Sequence, residues 1–184
     1  MLARREALDD AHCVLHRVKD EGDLWVRVAQ QVAKGDVVGW FPGRTGEARG
    51  AVLIDPRRAD LPDLVKDRLG EGSGQSEVLV SGDAVEEWFV MDAPSRPVAA
   101  RETKLPGIPA VVHASLVRIV SATETRDRLD YGFIQAFRAI TGVPMVLATS
   151  CFGEPANTPA DALDCFLRTR MDLLVVGNLM IQRV

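Results

Sequence analysis

Arginines and hydroxyls that border predicted strands are the residues of this chain best suited to chemistry. Arg44 and Arg49 lie in a glycine-containing loop after a short apolar run, Arg118 lies on a predicted strand, and Thr149 and Ser150 directly follow another apolar run. A guanidinium binds phosphate or sulfate through paired hydrogen bonds. Hydroxyls with main-chain N–H groups make small anion sites. These five residues predict an oxyanion-binding site, with a solvated loop and ordinary turn chemistry as the structural alternatives.

Histidine and cysteine supply weaker candidates. His113 could act as acid or base near neutral pH, although a lone histidine is more often structural. His12 and His16 lie four residues apart, which is typical of one helix face, and no third ligand for a metal accompanies them. Cys151 lies in a loop and could be a nucleophile. It has no evident base partner nearby in the sequence, so a structural role is favoured.

Composition restricts the class of protein. The chain has 184 residues with 47% hydrophobic and 26% charged residues, which fits one globular domain. Its net charge is −4 and no basic run occurs, so we expect no nucleic-acid partner. No signal peptide and no apolar stretch of membrane-spanning length is present, so a cytoplasmic protein without membrane contact is expected. The odd number of cysteines, three, favours free thiols in a reducing compartment.

The apolar periodicity predicts alternating strands and helices. An α/β or α+β fold with a mixed sheet flanked by helices follows from their irregular alternation. Residues 94–109 contain four prolines and are predicted to run extended over the surface. The predicted helices are 23–33, 63–69, 126–140 and 158–168, and the predicted strands are 37–41, 51–54, 76–80, 111–112 with 116–120, 145–148, 173–176 and 179–181.

Two stretches resemble a known family. The first is Gly35-Asp-Val-Val-Gly-Trp-Phe-Pro-Gly-Arg44 followed by residues 51–57. The second is residues 136–150, continued by Gly153-Glu154-Pro155 and residues 158–169. Both resemble the C-terminal domain of the nodulation and antibiotic O-carbamoyltransferases. The resemblance implies a single YrdC-like domain over residues 23–184, preceded by an N-terminal extension over residues 1–22.

The resemblance also implies a division of labour. In that family the C-terminal domain converts carbamoyl phosphate and ATP to a carbamoyl adenylate. The N-terminal domain, of the Kae1-like fold, holds a metal and passes the carbamoyl group to a hydroxyl. No counterpart of that N-terminal half is found in this sequence. We therefore expect a second protein subunit as partner, with the Kae1-like fold as the candidate, together with a small-molecule substrate.

Several departures from the family pattern affect the expected ligand. The strand that carries His113 and Arg118 lacks the family's Asp-Gly pair, and acidic residues Glu47, Glu71 and Glu77 stand where the family places parts of its cation-rich loops. A triphosphate beside carbamoyl phosphate needs several cations and amide donors, and a nearby carboxylate opposes binding. We therefore expect no cofactor, and ATP with carbamoyl phosphate only under an alternative function.

Three functions remain open from the sequence. The leading hypothesis is a non-autonomous subunit of a two-protein enzyme in antibiotic biosynthesis, which stabilises its partner and binds a phosphate- or sulfate-like leaving group during an elimination or cyclisation such as aziridine formation. The first alternative is a split O-carbamoyltransferase that uses carbamoyl phosphate and ATP. The second is a purely structural stabiliser of a partner.

Overall fold

The structure, a computed structural model, describes residues 12–41, 50–70, 76–93, 96–113, 118–125, 127–150 and 156–184. Ten strands and six α-helices occur in these ranges, together with two short 3-10 helices at Gly82–Ala84 and Leu105–Gly107. The strands are β1 (Cys13–Arg17), β2 (Val38–Phe41), β3 (Ala51–Ile54), β4 (Glu77–Ser81), β5 (Phe89–Ala93), β6 (Arg96–Ala100), β7 (Arg118–Ala122), β8 (Met145–Thr149), β9 (Leu173–Val176) and β10 (Leu179–Arg183). The helices are α1 (Glu21–Lys34), α2 (Leu61–Leu69), α3 (Val85–Trp88), α4 (Pro109–His113), α5 (Arg128–Thr141) and α6 (Pro159–Arg168).

Eight of the strands form one mixed sheet in the order β1-β10-β9-β2-β3-β8-β4-β7. The pairs β2–β9 and β4–β7 are parallel and the other neighbours are antiparallel. The prediction of a mixed sheet flanked by helices is confirmed. Gly177-Asn178 lies between the predicted strands 173–176 and 179–181, and it joins β9 to β10 as a hairpin.

Three regions differ from the sequence prediction. Residues 111–112 lie in helix α4 and not in a strand. Part of the proline-containing stretch 94–109 forms β6, which pairs with β5 as a separate two-stranded hairpin. His16 lies in β1 and not on a helix face, and His12 directly precedes that strand with a positive φ of 50°. Strand β1 falls within residues 1–22, the predicted extension, yet it pairs with β10 in the main sheet.

Helix α1 begins one turn earlier than its sequence suggests. Asp20 is the N-cap, since its side chain accepts a hydrogen bond from the Asp23 N–H at 2.9 Å. Gly35 ends the helix at a φ of 99°, a conformation that favours glycine. Trp25 of this helix packs directly against Gly132 of α5, where an added Cβ would lie 2.6 Å from the indole. A side chain at residue 132 would therefore push α1 and α5 apart.

Helix α6 has both of its ends satisfied. Thr158 and Asp161 form a reciprocal capping box at the start of the helix that was predicted over residues 158–168. At the other end the Arg183 guanidinium donates to the Phe166 carbonyl at 2.6 Å and to the Thr169 carbonyl at 2.9 Å. These are carbonyls that a helix C-terminus leaves without intrahelical partners. Strand β10, which carries Arg183, is thereby fixed to α6.

The core lies between the sheet and helices on both of its faces. Strand residues alternate between the faces, so the face that contains Trp40 also contains Leu53. Helix α5 covers that face with Phe133 and Phe137, which are buried, whereas Ile140 near its C-terminal end is 46% exposed. Among the described residues, no helix combines the length and apolar content needed to cross a membrane.

Candidate functional site

The predicted oxyanion residues that the structure describes lie at one end of the sheet. Arg118 is the first residue of β7 and is directly opposite Glu77, the first residue of β4. Glu77 is in turn opposite Ala148 of β8, which places Thr149 and Ser150 at the same end. We call Glu77, Arg118, Thr149 and Ser150 the site end.

An ion pair dominates the charge of the site end. An Arg118 Nη atom lies 2.7 Å from a Glu77 carboxylate oxygen. The Arg118 side chain is 73% exposed and that of Glu77 is 34% exposed, so solvent reaches the guanidinium readily. Strand β7 is the last strand of the sheet, which leaves Arg118 open on its outer side. The pair can bind an anion through arginine, but its own net charge is zero.

Thr149 and Arg118 do not face the same side of the sheet. Glu77 pairs with Ala148, so Glu77 and Arg118 share a face with Ala148 and lie on the side covered by α5. Thr149 is the next residue along β8 and therefore points to the opposite face, where it is buried. Strand β4 separates β8 from β7, so the two residues are two strand spacings apart, about 10 Å. Ser150 directly follows β8 and is half-buried.

The remaining predicted site residues are not described by the structure. Arg44, Arg49 and Cys151 lie outside the described ranges. His113 is the last residue of α4, and only its backbone is described. Their roles stay predictions. In the described ranges no three His, Cys, Asp or Glu side chains come together in an arrangement that would hold a metal ion.

A small apolar cavity lies between α6 and the sheet. It is on the face to which Thr149 points, and its walls include Gly39, Val52, Ala162 and Leu174. Its lining is mostly apolar, so it is poorly suited to an oxyanion. No sequence signal indicated this cavity, because its walls come from strands and a helix that are far apart along the chain.

One cysteine prediction is wrong. Cys165, which contributes to the wall of this cavity, is disulfide-bonded and is not a free thiol. Cys13 of β1 is a thiol. Burial raises the pKa of the Cys13 thiol, although the neighbouring Arg183 charge acts in the opposite direction. A raised pKa disfavours the thiolate, which is the nucleophilic form.

The opposite end of β4 carries a connected polar network, which we call the network end: Ser81, Asp83, Gln135 and Arg138. The Ser81 hydroxyl is fully buried, donates to the Asp83 carboxylate and accepts from the Gln135 amide at 2.7 Å. Arg138 donates to the other Asp83 oxygen at 2.8 Å. The hydrogen bond from Ser81, followed by the bond from Arg138, lowers the pKa of Asp83.

Asp130 of α5 is a carboxylate that the sequence did not single out. Its Oδ1 accepts a hydrogen bond from the Trp40 indole N–H at 3.0 Å. Burial raises the pKa of Asp130, and the neighbouring charge of Asp127 adds to the effect, while the bond from Trp40 opposes it. Asp130 therefore links α5 to β2, and its surroundings disfavour its ionised form. Its contacts explain it as a structural residue.

The eight-stranded mixed sheet covered by helices gives this domain the YrdC-like α/β fold that its sequence predicts. The solved structure of full-length HypF in its phosphate- and nucleotide-bound form is similar, with a TM-score of 0.56 over 93% of this chain and 22% of that one. Sequence identity is 10%, so this likeness concerns the fold. The model of the carbamoyltransferase C-terminus family matches residues 29–183, and the chain belongs to that family.

Two nodulation proteins are similar in sequence. The nodulation protein NolNO of Sinorhizobium fredii is 34% identical over 180 residues, which cover 88% of this chain and 26% of the relative. The nodulation protein NolO of Bradyrhizobium diazoefficiens is 26% identical over 184 residues, which cover 90% of this chain and 34% of the relative. The chain thus spans only about a quarter to a third of the length of these relatives.

Proposed function

We propose that this domain is one subunit of a two-protein enzyme in natural-product biosynthesis. In that enzyme it stabilises its partner and binds a phosphate- or sulfate-like leaving group. The proposed reaction is an elimination or an intramolecular displacement, with aziridine formation as one example. The observation that carries the proposal is Arg118, an exposed guanidinium at the end of a sheet strand that pairs, within the described ranges, with the Glu77 carboxylate.

The proposed displacement needs few charged groups from this domain. The bond between carbon and the leaving-group oxygen breaks, and that oxygen keeps the electron pair. A nucleophile of the same substrate, an amine in aziridine formation, forms the new bond to carbon and gives up its proton to water. A guanidinium at the departing oxygen stabilises the charge that develops there. One accessible arginine is enough for that role, whereas binding of a nucleoside triphosphate needs several cations. The balanced Glu77–Arg118 pair therefore favours the leaving-group function.

The need for a partner is supported by the edge of the sheet. Strand β1 is the outermost strand on the side opposite to β7. Its Val14 and Leu15 point to opposite faces and are 42% and 48% exposed. An edge strand with apolar side chains exposed on both faces is an interaction surface in many proteins. The partner would supply the functions that the further part of the family relatives carries.

Split O-carbamoyl transfer is the second candidate. Membership of the carbamoyltransferase C-terminus family favours it, and so does the fold shared with HypF, a protein solved with phosphate and nucleotide bound. Under this function the complex consumes ATP only when carbamoyl phosphate is present. Under the leaving-group function it does not. A domain that only stabilises its partner is distinguished from both functions, because it binds neither a sulfate-like group nor carbamoyl phosphate.

The first test is co-purification of the full chain with the products of its adjacent genes, followed by mass determination. We expect a stoichiometric complex that binds inorganic sulfate and shows no ATP consumption dependent on carbamoyl phosphate. Arg118→Gln should weaken sulfate binding about tenfold or more, because a charge-assisted contact is lost. Arg128→Gln is the matched control, since Arg128 is equally exposed at 70% and pairs with Glu21 at 2.8 Å.

Each other outcome identifies a different function. ATP consumption that requires carbamoyl phosphate would establish split carbamoyl transfer instead. A complex in which sulfate binding is absent, or is unchanged by Arg118→Gln, would reduce the domain to a stabiliser. A chain that stays alone with every adjacent gene product would overturn the two-protein proposal.

A further inference from the structure

Glu77 is placed to control which anions Arg118 accepts. The two residues are the first of parallel neighbouring strands and are directly opposite in register, so the sheet itself holds their backbones side by side. The Glu77 side chain is about half as exposed as that of Arg118, 34% against 73%. Glu77 thus lies on the inner side of the pair, and a ligand arriving from solvent meets Arg118 first.

We propose that Glu77 is a specificity-determining residue: it acts as the internal counter-ion of Arg118 and limits the site end to ligands of low negative charge. This inference rests on the proposed function, because it presumes that Arg118 binds the anion. The inference adds that the ligand is a single sulfate- or phosphate-sized group. Polyphosphates, including nucleoside triphosphates, are rejected.

The physical reason is that a ligand can displace the carboxylate from Arg118 but cannot remove it. Glu77 is anchored in β4 and paired to β8 on its other side, so its charge stays within a few ångströms of any anion bound to Arg118. At about 6 Å in a largely aqueous surrounding, repulsion between the Glu77 charge and the two charges of a sulfate ion, weakened by salt, lowers affinity roughly threefold to tenfold. The penalty multiplies with each further charge of the ligand, so that a polyphosphate is penalised far more than a sulfate ion.

Glu77→Gln tests the charge while it preserves most of the contact. Glutamine has nearly the same size as glutamate, and its carbonyl oxygen can still accept from the guanidinium. The matched control is Glu21→Gln. It removes one carboxylate from the same kind of exposed ion pair, at 2.8 Å from Arg128, and changes the net charge of the protein by the same amount.

The experiment measures dissociation constants of inorganic sulfate and of tripolyphosphate by calorimetry, for the full chain with its partner where one co-purifies. We expect Glu77→Gln to tighten sulfate binding about threefold to tenfold and tripolyphosphate binding by a clearly larger factor. Glu21→Gln should leave the ratio of the two constants unchanged. In the Arg118→Gln background, Glu77→Gln should lose most of its effect, because the two residues act as a pair.

The failures of the inference and of the proposed function are distinguishable. If wild-type sulfate binding depends on Arg118 but Glu77→Gln leaves the ratio of sulfate to tripolyphosphate affinity unchanged, the role of Glu77 is overturned and the oxyanion site stands. If sulfate binding is absent from both the wild type and the Glu77→Gln variant, or does not respond to Arg118→Gln, the oxyanion site itself is overturned together with this inference.

Discussion

The two ends of strand β4 place an arginine next to a carboxylate in different ways. At the network end, Arg138 and Asp83 are joined through the fully buried Ser81 hydroxyl to Gln135, so that strand and helix α5 are connected by several hydrogen bonds. At the site end, Arg118 and Glu77 form one exposed pair between neighbouring strands, with no described helix bonded to it.

The difference separates a stabilising arrangement from an exchangeable one. A buried hydroxyl with two partners is costly to disturb, because any group left without its partner stays desolvated. An exposed ion pair contributes little to stability, since water and salt replace it readily. The network end therefore fixes β4 against α5, whereas the site end can give up its internal partner to a ligand.

The largest expected effect is on the network end. Ser81→Ala removes the acceptor of the Gln135 amide and the donor to Asp83, and should lower the free energy of unfolding by about 1–3 kcal/mol at pH 7. Part of that loss depends on pH. The Ser81 hydroxyl holds the pKa of Asp83 below its ordinary value. The stability that this hydrogen bond contributes is therefore present above the pKa of Asp83 in the unfolded chain, and it is lost as the pH falls through the pKa of Asp83 in the folded protein.

Urea denaturation at pH 7 and at decreasing pH measures both parts of this prediction. Ser76→Ala is the control, because Ser76 is a half-buried serine immediately before the other end of the same strand. Equal losses for the two variants would contradict the contrast between the ends of β4.

A second prediction concerns Asp130, whose pKa is raised, whereas the pKa of Asp83 is lowered. Asp130→Asn keeps an oxygen that accepts from the Trp40 indole and removes a charge disfavoured by burial and by Asp127. We expect the variant to be more stable than the wild type by about 1 kcal/mol at pH 7. Because the pKa of Asp130 is higher in the folded protein than in the unfolded chain, the wild type loses stability as the pH rises from the lower of these two pKa values to the higher.

Stability curves of the Asp130→Asn variant and the wild type should therefore coincide below about pH 3 and separate as the pH rises toward neutral. Asp164→Asn, a change at an exposed aspartate of α6, serves as the control and should change the stability little at any pH. A variant that is less stable than the wild type at pH 7 would mean that the Asp130 carboxylate makes a stronger contact than the Trp40 bond.

Elements with local signals were predictable from the sequence, and long-range pairings were not. Thr158 and Asp161 predicted the start of α6 because a capping box involves only neighbouring residues. Residues 111–112 are β-branched and predicted a strand, yet tertiary context places them in a helix. Strand β1 was missed because its partner, β10, lies at the other end of the chain.

The candidate site shows the same limit. The sequence indicated that Arg118 suits an anion and that Glu77 opposes one, from residue types alone. That the two residues are directly opposite each other depends on a parallel pairing across 41 positions, which no local pattern specifies. Thr149 points to the face opposite to that of Arg118 because of the register between β8 and β4, and the sequence alone does not specify that register.

The smallest expected effect is on the stability of the site end. Glu77→Gln and Arg118→Gln should each change the free energy of unfolding by less than about 0.5 kcal/mol, because exposed pairs of this kind contribute little. Chemical denaturation beside Ser81→Ala provides the comparison on one strand. A loss as large as that of Ser81→Ala would mean that the pair holds β7 in the sheet. Glu77 could not then be displaced from Arg118 without disturbing the fold, and the two ends of β4 would serve the same structural purpose. A negligible loss leaves the pair free to exchange its internal carboxylate for a ligand.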